Sequence, residues 1–256
     1  MSLKSERYCA IIEYDGTLFY GYQIQPDVRT VQGSIEIALA KIMKVFTRVS
    51  VAGRTDAGVH ATGQVIAFDV IWRHSVSDLY RALNAVLPDD ISVKRLTTVL
   101  SDFSPRYDAL RRSYRYIIVN DTSSTVFERL YSYHVKPKLN LNSMKEASVN
   151  LIEKHDFSSF GKSPQLGGHT VRQIMSIDWS TENNRIIFDI TANAFLYRMV
   201  RNIVGTLLQV GLNRLTSEDV KEILLAKELK RSGPTAPAHG LYLMKVVYPE
   251  WVGNIV

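Results

Sequence analysis

The chain contains one cysteine, Cys9, and no hydrophobic run long enough to cross a bilayer. A lone cysteine excludes a disulfide within the chain and any metal site built from cysteine ligands. Because it lies in an apolar run, residues 8–12, we expect it to be a small buried hydrophobe. The N-terminal residues, MSLKSER, lack the apolar core of a signal peptide, so we expect a cytoplasmic protein.

Basic residues outnumber acidic ones, 31 to 25, and the formal net charge is +6. This balance favours polyanionic partners such as nucleic acid. Guanidinium groups that alternate with rings suit an RNA cleft, where rings stack on unpaired bases. The alternative is that these arginines lie on the solvent face of a strand, and in SYRY (113–116) one tyrosine is then core. The clusters contain Arg106, Arg111, Arg112, Arg115, Arg198, Arg201, Lys227, Lys230 and Arg231, near Tyr107, Tyr114, Tyr116 and Tyr197.

Hydrophobic periodicity predicts the order β-α-β-β-α-β twice, which indicates an α+β fold. We expect two ferredoxin-like (RRM-like) halves joined into an extended antiparallel sheet, with helices on one side and a central RNA-binding cleft. The predicted halves are 1–105 and 106–256, and each provides one side of the cleft. A packed link joins them at 103–112. The predicted strands are 8–14, 48–51, 64–70, 91–96, 113–119, 170–179, 185–191 and 241–248, and the predicted helices are 31–45, 77–87, 141–153, 194–210 and 217–226.

The segment VAGRTDAGVHA connects two predicted strands. Two glycines, Gly53 and Gly58, bracket Arg54, Thr55 and Asp56. Glycine allows positive φ or a close backbone approach, so a carboxylate and a guanidinium are presented here from a rigid base. An ordinary hairpin loop with a solvated ion pair is the alternative.

The predicted helix 194–210 places Arg198 and Arg201, one turn apart, among apolar residues. A buried arginine needs a carboxylate or a phosphate, because desolvating an unpaired ion costs several kcal/mol. Among the carboxylates of the chain, Asp56 is the best candidate partner for Arg201.

Seven motifs in order resemble those of TruA-type tRNA pseudouridine synthases. GRTDAGVHA followed by GQV resembles the catalytic signature, and YDGxxFxG with Gln23 and Gln25 resembles the N-terminal loop. The remaining motifs are SYRY, HDFSSF, VRxI, NAF through MVRNIVG, and TAPA with GLYL. Together they extend over nearly the whole chain.

The resemblance implies an isomerase without metal or cofactor that converts uridine to pseudouridine in tRNA, at positions 38–40 of the anticodon stem-loop. The target base is flipped out, and Asp56 acts as a nucleophile or as the base that starts elimination. The usual assembly is a homodimer whose tRNA contacts both subunits.

The resemblance also assigns roles to individual residues. Asp56 is the catalytic aspartate, Tyr114 stacks beneath the target base, and Arg201 pairs with the Asp56 carboxylate. Arg54 helps to take the place of the extruded base. The base pocket is lined by Leu243 or Leu241, the substrate-binding group also includes Gly53, Thr55 and His60, and the RNA-binding group is Arg106, Arg111, Arg198, Tyr22 and Phe19.

The chain departs from the family pattern in two places. Tyr22 stands where the family commonly has tryptophan, which keeps the ring and changes the contact, and GKSPQLGGHT (161–170) differs from the usual segment. His60 is either a structural imidazole or a general base. The alternatives to a synthase are a non-catalytic RNA-binding module of two RRM-like halves, and a phosphatase or glycosidase with an aspartyl nucleophile. Those enzymes need more carboxylates than the loop provides; the next acid is Asp69.

Overall fold

A computed structural model describes residues 4–123, 126–163 and 167–252. Its strands are β1 (Glu6–Tyr14), β2 (Ser50–Val51), β3 (His60–Val70), β4 (Ile91–Val99), β5 (Arg111–Asn120), β6 (Tyr133–Val135), β7 (Glu153–Asp156), β8 (Val171–Glu182), β9 (Arg185–Ala192) and β10 (Leu241–Val247). Its α-helices are α1 (Val31–Met43), α2 (Val76–Val86), α3 (Leu141–Val149), α4 (Met199–Gly211) and α5 (Ser217–Ala226). Short 3₁₀ turns lie at Gly16–Leu18, Leu229–Arg231, Ala238–Gly240 and Glu250–Val252.

The chain divides into two compact units. The first comprises the described residues of Met1–Leu110 and Tyr242–Val256, and the second those of Arg111–Leu241. The sequence predicted the division at 105/106 and assigned the C-terminal strand to the second half. The structure groups that strand with the first unit, because β10 pairs with β3 and Tyr248 packs edge-on against Phe103.

The first unit has the ferredoxin-like order β1-α1-β2-β3-α2-β4. In its sheet β1 lies between β4 and β3, antiparallel to both, and β2 and β10 both pair with β3. β2 pairs with β3 at Ala67 and Ile66, whereas β10 runs parallel to β3 at His60 and Ala61. The loop from β2 to β3 therefore begins beside the middle of β3 and ends at its first residue.

The second unit contains an antiparallel sheet in the order β5-β9-β8-β7, with β6 parallel to β5. The hairpin predicted around residues 182–184 joins β8 to β9, and Asn183 there has φ +55°. Two short strands of this unit, β6 and β7, were not predicted. With mostly antiparallel strands and five α-helices among the described residues, the structure has the α+β fold class that the sequence predicted.

Helix starts follow side-chain caps. The Thr30 hydroxyl accepts a hydrogen bond from the Gly33 N–H, and α1 begins one residue after this cap, as predicted. Thr216 forms a capping box with Asp219 at the start of α5, which confirms the predicted helix 217–226. For α2 the cap is Ser75, so the helix begins at Val76 rather than at residue 77.

The predicted helix 194–210 was wrong at its start. α4 begins at Met199, and the preceding residue, Arg198, has φ +59°. Arg198 accounts for the late start, because a right-handed α-helix cannot continue through a residue in the left-handed region, and α4 therefore begins at the next residue. The residues before it bond elsewhere: the Asn193 side chain accepts the N–H of Ala194, and the Tyr197 N–H donates to the Lys162 carbonyl.

The predicted helix 141–153 was too long. α3 ends at Val149, and Glu153, at φ +84°, begins β7, which pairs with β8. The link 103–112, predicted to be packed, is so only in part: Phe103 is buried, whereas Tyr107 is exposed.

Cys9 is buried, and burial raises the pKa of its thiol to about 12, in agreement with its expected role as a hydrophobe. Within the described ranges, no helix has the length and apolar character needed to cross a membrane.

Candidate active site

The loop between β2 and β3 presents Arg54 and Asp56 on a tight backbone turn. The Val59 N–H donates to the Asp56 carbonyl at 3.2 Å, and Gly58 within the turn has φ +77°. Arg54 is exposed, Asp56 is half-buried and Thr55 between them is buried. The Arg54 guanidinium is thus exposed to solvent, while Thr55, between the two charged residues, is buried.

A buried hydrogen-bond chain lies beneath this loop. The Gln64 Nε2 donates to the Gly53 carbonyl at 2.6 Å and to the Tyr14 hydroxyl at 3.3 Å. The Tyr14 hydroxyl is in turn 2.8 Å from the Thr55 Oγ1. Residues on both sides of Arg54 are therefore held by side chains from the strands β1 and β3.

A second support comes from the segment between β1 and α1. The Tyr22 N–H donates to the Thr55 carbonyl at 3.0 Å, and the Gly58 N–H donates to the Phe19 carbonyl at 3.3 Å. Gly21 has φ +92°, and a Cβ there would lie 3.0 Å from the Thr55 carbonyl oxygen. Only glycine satisfies both the backbone angle and this close approach.

His60 closes the loop at its C-terminal end. Its Nδ1 accepts the Gly16 N–H at 3.0 Å, and its ring stacks on Tyr242 at a centroid distance of 4.8 Å. The imidazole is 2% exposed, which favours the structural role over the general base. Leu243, the neighbour of Tyr242 on β10, is fully buried opposite Ala61.

The first unit therefore holds a carboxylate at a defined place on a rigid loop, with a solvent-facing guanidinium two residues before it. A carboxylate so placed can act as a nucleophile or as a base, and an exposed arginine can contact phosphate. Within the ranges that the structure describes, no group of three or more His, Cys, Asp and Glu side chains is arranged to hold a metal ion.

The remaining predicted catalytic residues belong to the second unit. Tyr114 lies on β5 and meets Phe195 edge-on at 5.0 Å, and its side chain is 8% exposed. Tyr116, two residues further on the same face, is fully buried, and its hydroxyl donates to the Pro237 carbonyl at 2.8 Å. Both tyrosines of SYRY are therefore buried, and Tyr116 is the more deeply buried of the two.

The two arginines predicted on one helix occupy different settings. Arg201 is half-buried on α4, and its Nε donates to the Ala236 carbonyl at 2.7 Å. Arg198 precedes the helix, is exposed and lies over the Tyr197 ring at 4.9 Å. The argument that burial forces a carboxylate partner therefore does not apply to Arg198.

The residues predicted to bind RNA divide by exposure. Phe19 and Tyr22 are buried in the first unit, so neither ring offers a face to RNA in this structure. The Phe19 ring is covered by the Arg29 guanidinium at 4.1 Å. Arg106 is half-buried, Arg111 is exposed, and Leu241, predicted for the base pocket, is buried. Residues 164–166 of the divergent segment 161–170 lie outside the described residues.

Sequence reasoning missed the residues that support the loop. Tyr14 and Gln64 belong to two of the motifs, but neither was predicted to have a role in the site. The signal that identifies Gln64 is its place in a run of apolar strand residues, since a buried amide must find hydrogen-bond partners. The partners themselves, Gly53 and Tyr14, are distant along the chain.

The sequence of the protein, including this loop, is similar to those of known proteins. Residues 10–108 and 147–249 match the model of the family described as "tRNA pseudouridine synthase". The chain belongs to this family. Pseudouridine synthases are isomerases, and the match includes the loop of Asp56 together with both of its supports.

Curated relatives extend the similarity over almost the full chain. The tRNA pseudouridine synthase A of Bacillus licheniformis is 44% identical over 93% of this chain and 97% of its own length. That of Bacillus velezensis is 46% identical over 93% and 97%. That of Thermotoga sp. strain RQ2 is 44% identical over 95% and 100%. Membership of this family disfavours a purely structural RNA-binding module, a phosphatase and a glycosidase.

Proposed function

We propose that this protein isomerises uridine to pseudouridine in the anticodon stem-loop of tRNA, at positions 38–40, with Asp56 as the reacting carboxylate. The observation that carries the proposal is the Asp56 loop, a carboxylate held on a rigid, doubly supported turn in a chain that belongs to the tRNA pseudouridine synthase family. The positions within tRNA come from the resemblance to the TruA type.

The reaction sets what the residues must do. The glycosidic bond from C1′ to N1 of uracil breaks, the base turns, and a bond from C1′ to C5 forms. The C5 proton then leaves and N1 takes up a proton, so product and substrate are isomers. Asp56 begins this sequence, either by attacking the sugar or by removing a proton from it. A stacked uridine is out of reach, so the base is flipped out of the stem at a cost of a few kcal/mol.

The other roles remain proposals from the resemblance. Arg54, which is exposed, occupies the space of the flipped base. Tyr114 stacks on the target uracil, and Arg201 is the cation that pairs with the Asp56 carboxylate. The proposed assembly is a homodimer acting on tRNA in the cytoplasm.

The decisive experiment uses unmodified tRNA labelled with tritium at C5 of uridine, since tritium is released only when C5 becomes bonded to the sugar. We expect Asp56→Asn to bind tRNA with unchanged affinity and to release no tritium above background. Asp69→Asn is the matched control, because Asp69 is an exposed carboxylate on the same strand pair, joined to Arg7.

Two results would overturn the proposal. Turnover by Asp56→Asn comparable with that of Asp69→Asn removes the catalytic assignment. Product mapped to uridines outside the anticodon stem-loop removes the proposed positions while leaving the activity.

A further inference from the structure

We propose that Tyr14 and Gln64 are positioning residues for catalysis: their buried hydrogen-bond chain holds the backbone on both sides of Arg54 and thereby orients Asp56. This inference rests on the proposed catalytic role of Asp56. Neither side chain is available to substrate, since Tyr14 is 3% exposed and Gln64 is fully buried. Both therefore act through the loop residues that they hold.

The donors of this hydrogen-bond chain are the Gln64 amide and two hydroxyl groups. The Gln64 amide nitrogen has two hydrogens, and its two acceptors are the Gly53 carbonyl and the Tyr14 oxygen. The Tyr14 hydroxyl and the Thr55 Oγ1, 2.8 Å apart, share the remaining hydrogen bond, in which either oxygen can be the donor. Burial raises the pKa of Tyr14 to about 12, so its hydroxyl is protonated at neutral pH.

The hydrogen bonds hold the residues on either side of Arg54. Gly53 has no side chain with which to fix itself, so its carbonyl is the available point of attachment, and Gln64 takes it. Thr55 is held twice, through its hydroxyl by Tyr14 and through its carbonyl by the Tyr22 N–H. Asp56 is the next residue, so a shift of Thr55 moves the carboxylate directly.

The hydrogen bonds of Tyr14 and Gln64 therefore set the position of a reacting group, with little effect on RNA affinity. Phosphate contacts supply most of that affinity, and they come from exposed basic side chains. Small misplacements of a reacting group reduce rates strongly, by as much as about a hundred-fold for a shift of 1 Å. Breaking these hydrogen bonds is thus expected to lower the chemical rate by a larger factor than it raises the dissociation constant for tRNA.

The test measures single-turnover rates and tRNA dissociation constants for Tyr14→Phe, Thr55→Val, the double variant and Thr55→Ser. We expect each of the first two to slow the chemical step by about ten-fold or more. The double variant should be no slower than the worse single variant, because both cut the same hydrogen bond. Thr55→Ser keeps the Oγ atom and should therefore be faster than Thr55→Val.

Tyr8→Phe is the matched control. Tyr8 lies on the same strand, its ring is equally buried, and its hydroxyl donates to Glu6 at 2.9 Å, away from the loop. We expect its single-turnover rate to equal that of the wild type. A rate for Tyr14→Phe equal to that of Tyr8→Phe, or additive effects in the double variant, would overturn the inference. If Tyr14→Phe fails to fold, Thr55→Val against Thr55→Ser provides the same comparison.

Amide hydrogen exchange gives a readout independent of activity. The loop amides of residues 53–58 should exchange faster in Tyr14→Phe than in Tyr8→Phe. If Asp56→Asn is active, the proposed function fails while faster exchange still supports loop positioning. If Asp56→Asn is inactive and exchange in Tyr14→Phe is unchanged, the positioning inference alone fails.

Discussion

Tyr22 has a fully buried hydroxyl for which the described part of the chain provides no hydrogen-bond partner. Its ring lies 6.4 Å from that of Tyr14, and burial raises its pKa well above the usual range. A buried hydroxyl without a partner loses its hydrogen bonds to water and regains none on folding. We therefore expect Tyr22→Phe to stabilise the protein.

The magnitude follows from two opposing effects. Relief of an unsatisfied buried hydroxyl is worth about 1–3 kcal/mol. Removing one oxygen atom leaves a void of roughly 10–15 Å³, which costs about 0.3 kcal/mol at the usual cavity coefficient. The net gain of about 0.7–2.7 kcal/mol corresponds to a rise in Tm of roughly 1–11 °C for a chain of this size.

Tyr116→Phe is the matched control for this substitution. Tyr116 is also fully buried, but its hydroxyl donates to the Pro237 carbonyl at 2.8 Å. Deleting that hydroxyl leaves the carbonyl unpaired, so the Tm should fall, by an amount equivalent to about 1–2 kcal/mol. Differential scanning calorimetry of both variants measures the two signs. A fall in Tm for Tyr22→Phe as large as that for Tyr116→Phe would refute the reasoning, because it would mean that the Tyr22 hydroxyl is satisfied.

Two further predictions concern the loop support and the charge. Gly16→Ala should lower stability by about 1–3 kcal/mol and reduce turnover, because its Cβ would lie 2.1 Å from the Val59 carbonyl oxygen. In the control variant Gly33→Ala the Cβ meets only side chains of Thr30 and Ile24, so this variant should keep its activity. Equal losses in the two variants, measured by denaturation and turnover assays, would contradict this reasoning. The tRNA dissociation constant should rise about ten-fold or more between roughly 50 and 200 mM salt, as measured by filter binding, and a constant value would argue against phosphate contacts.

Local chemistry made much of the fold predictable from sequence. Thr30 and Thr216 are N-caps whose hydrogen-bond partners lie three residues further along the chain. The starts of α1 and α5 could therefore be predicted from the local sequence. The alternation in SYRY predicted one core tyrosine on β5. The bracketing glycines of the Asp56 loop likewise marked a tight turn, and Gly58 does have a positive φ.

Elements that depend on distant partners were not predictable in this way. The strand β7 has too few residues to show a period and exists because β8 pairs with it. The apolar pattern before Met199 favours a helix, but Arg198 has a positive φ and Tyr197 forms a bridge with the distant Lys162, so the helix begins only at Met199. Tyr22 resembled an RNA-stacking ring by motif, and only packing shows that it is core.

The sequence by itself determined the fold class, the family and the Asp56 loop, because each is encoded in local periodicity or contiguous motifs. The tertiary structure alone decided what supports that loop. Tyr14 reaches it from β1, Gln64 and His60 reach it from β3, and β10 joins the sheet that carries it from the other end of the chain. Hydrogen bonds act over about 3 Å of space whatever the separation along the chain, so these contacts become visible only in the folded molecule.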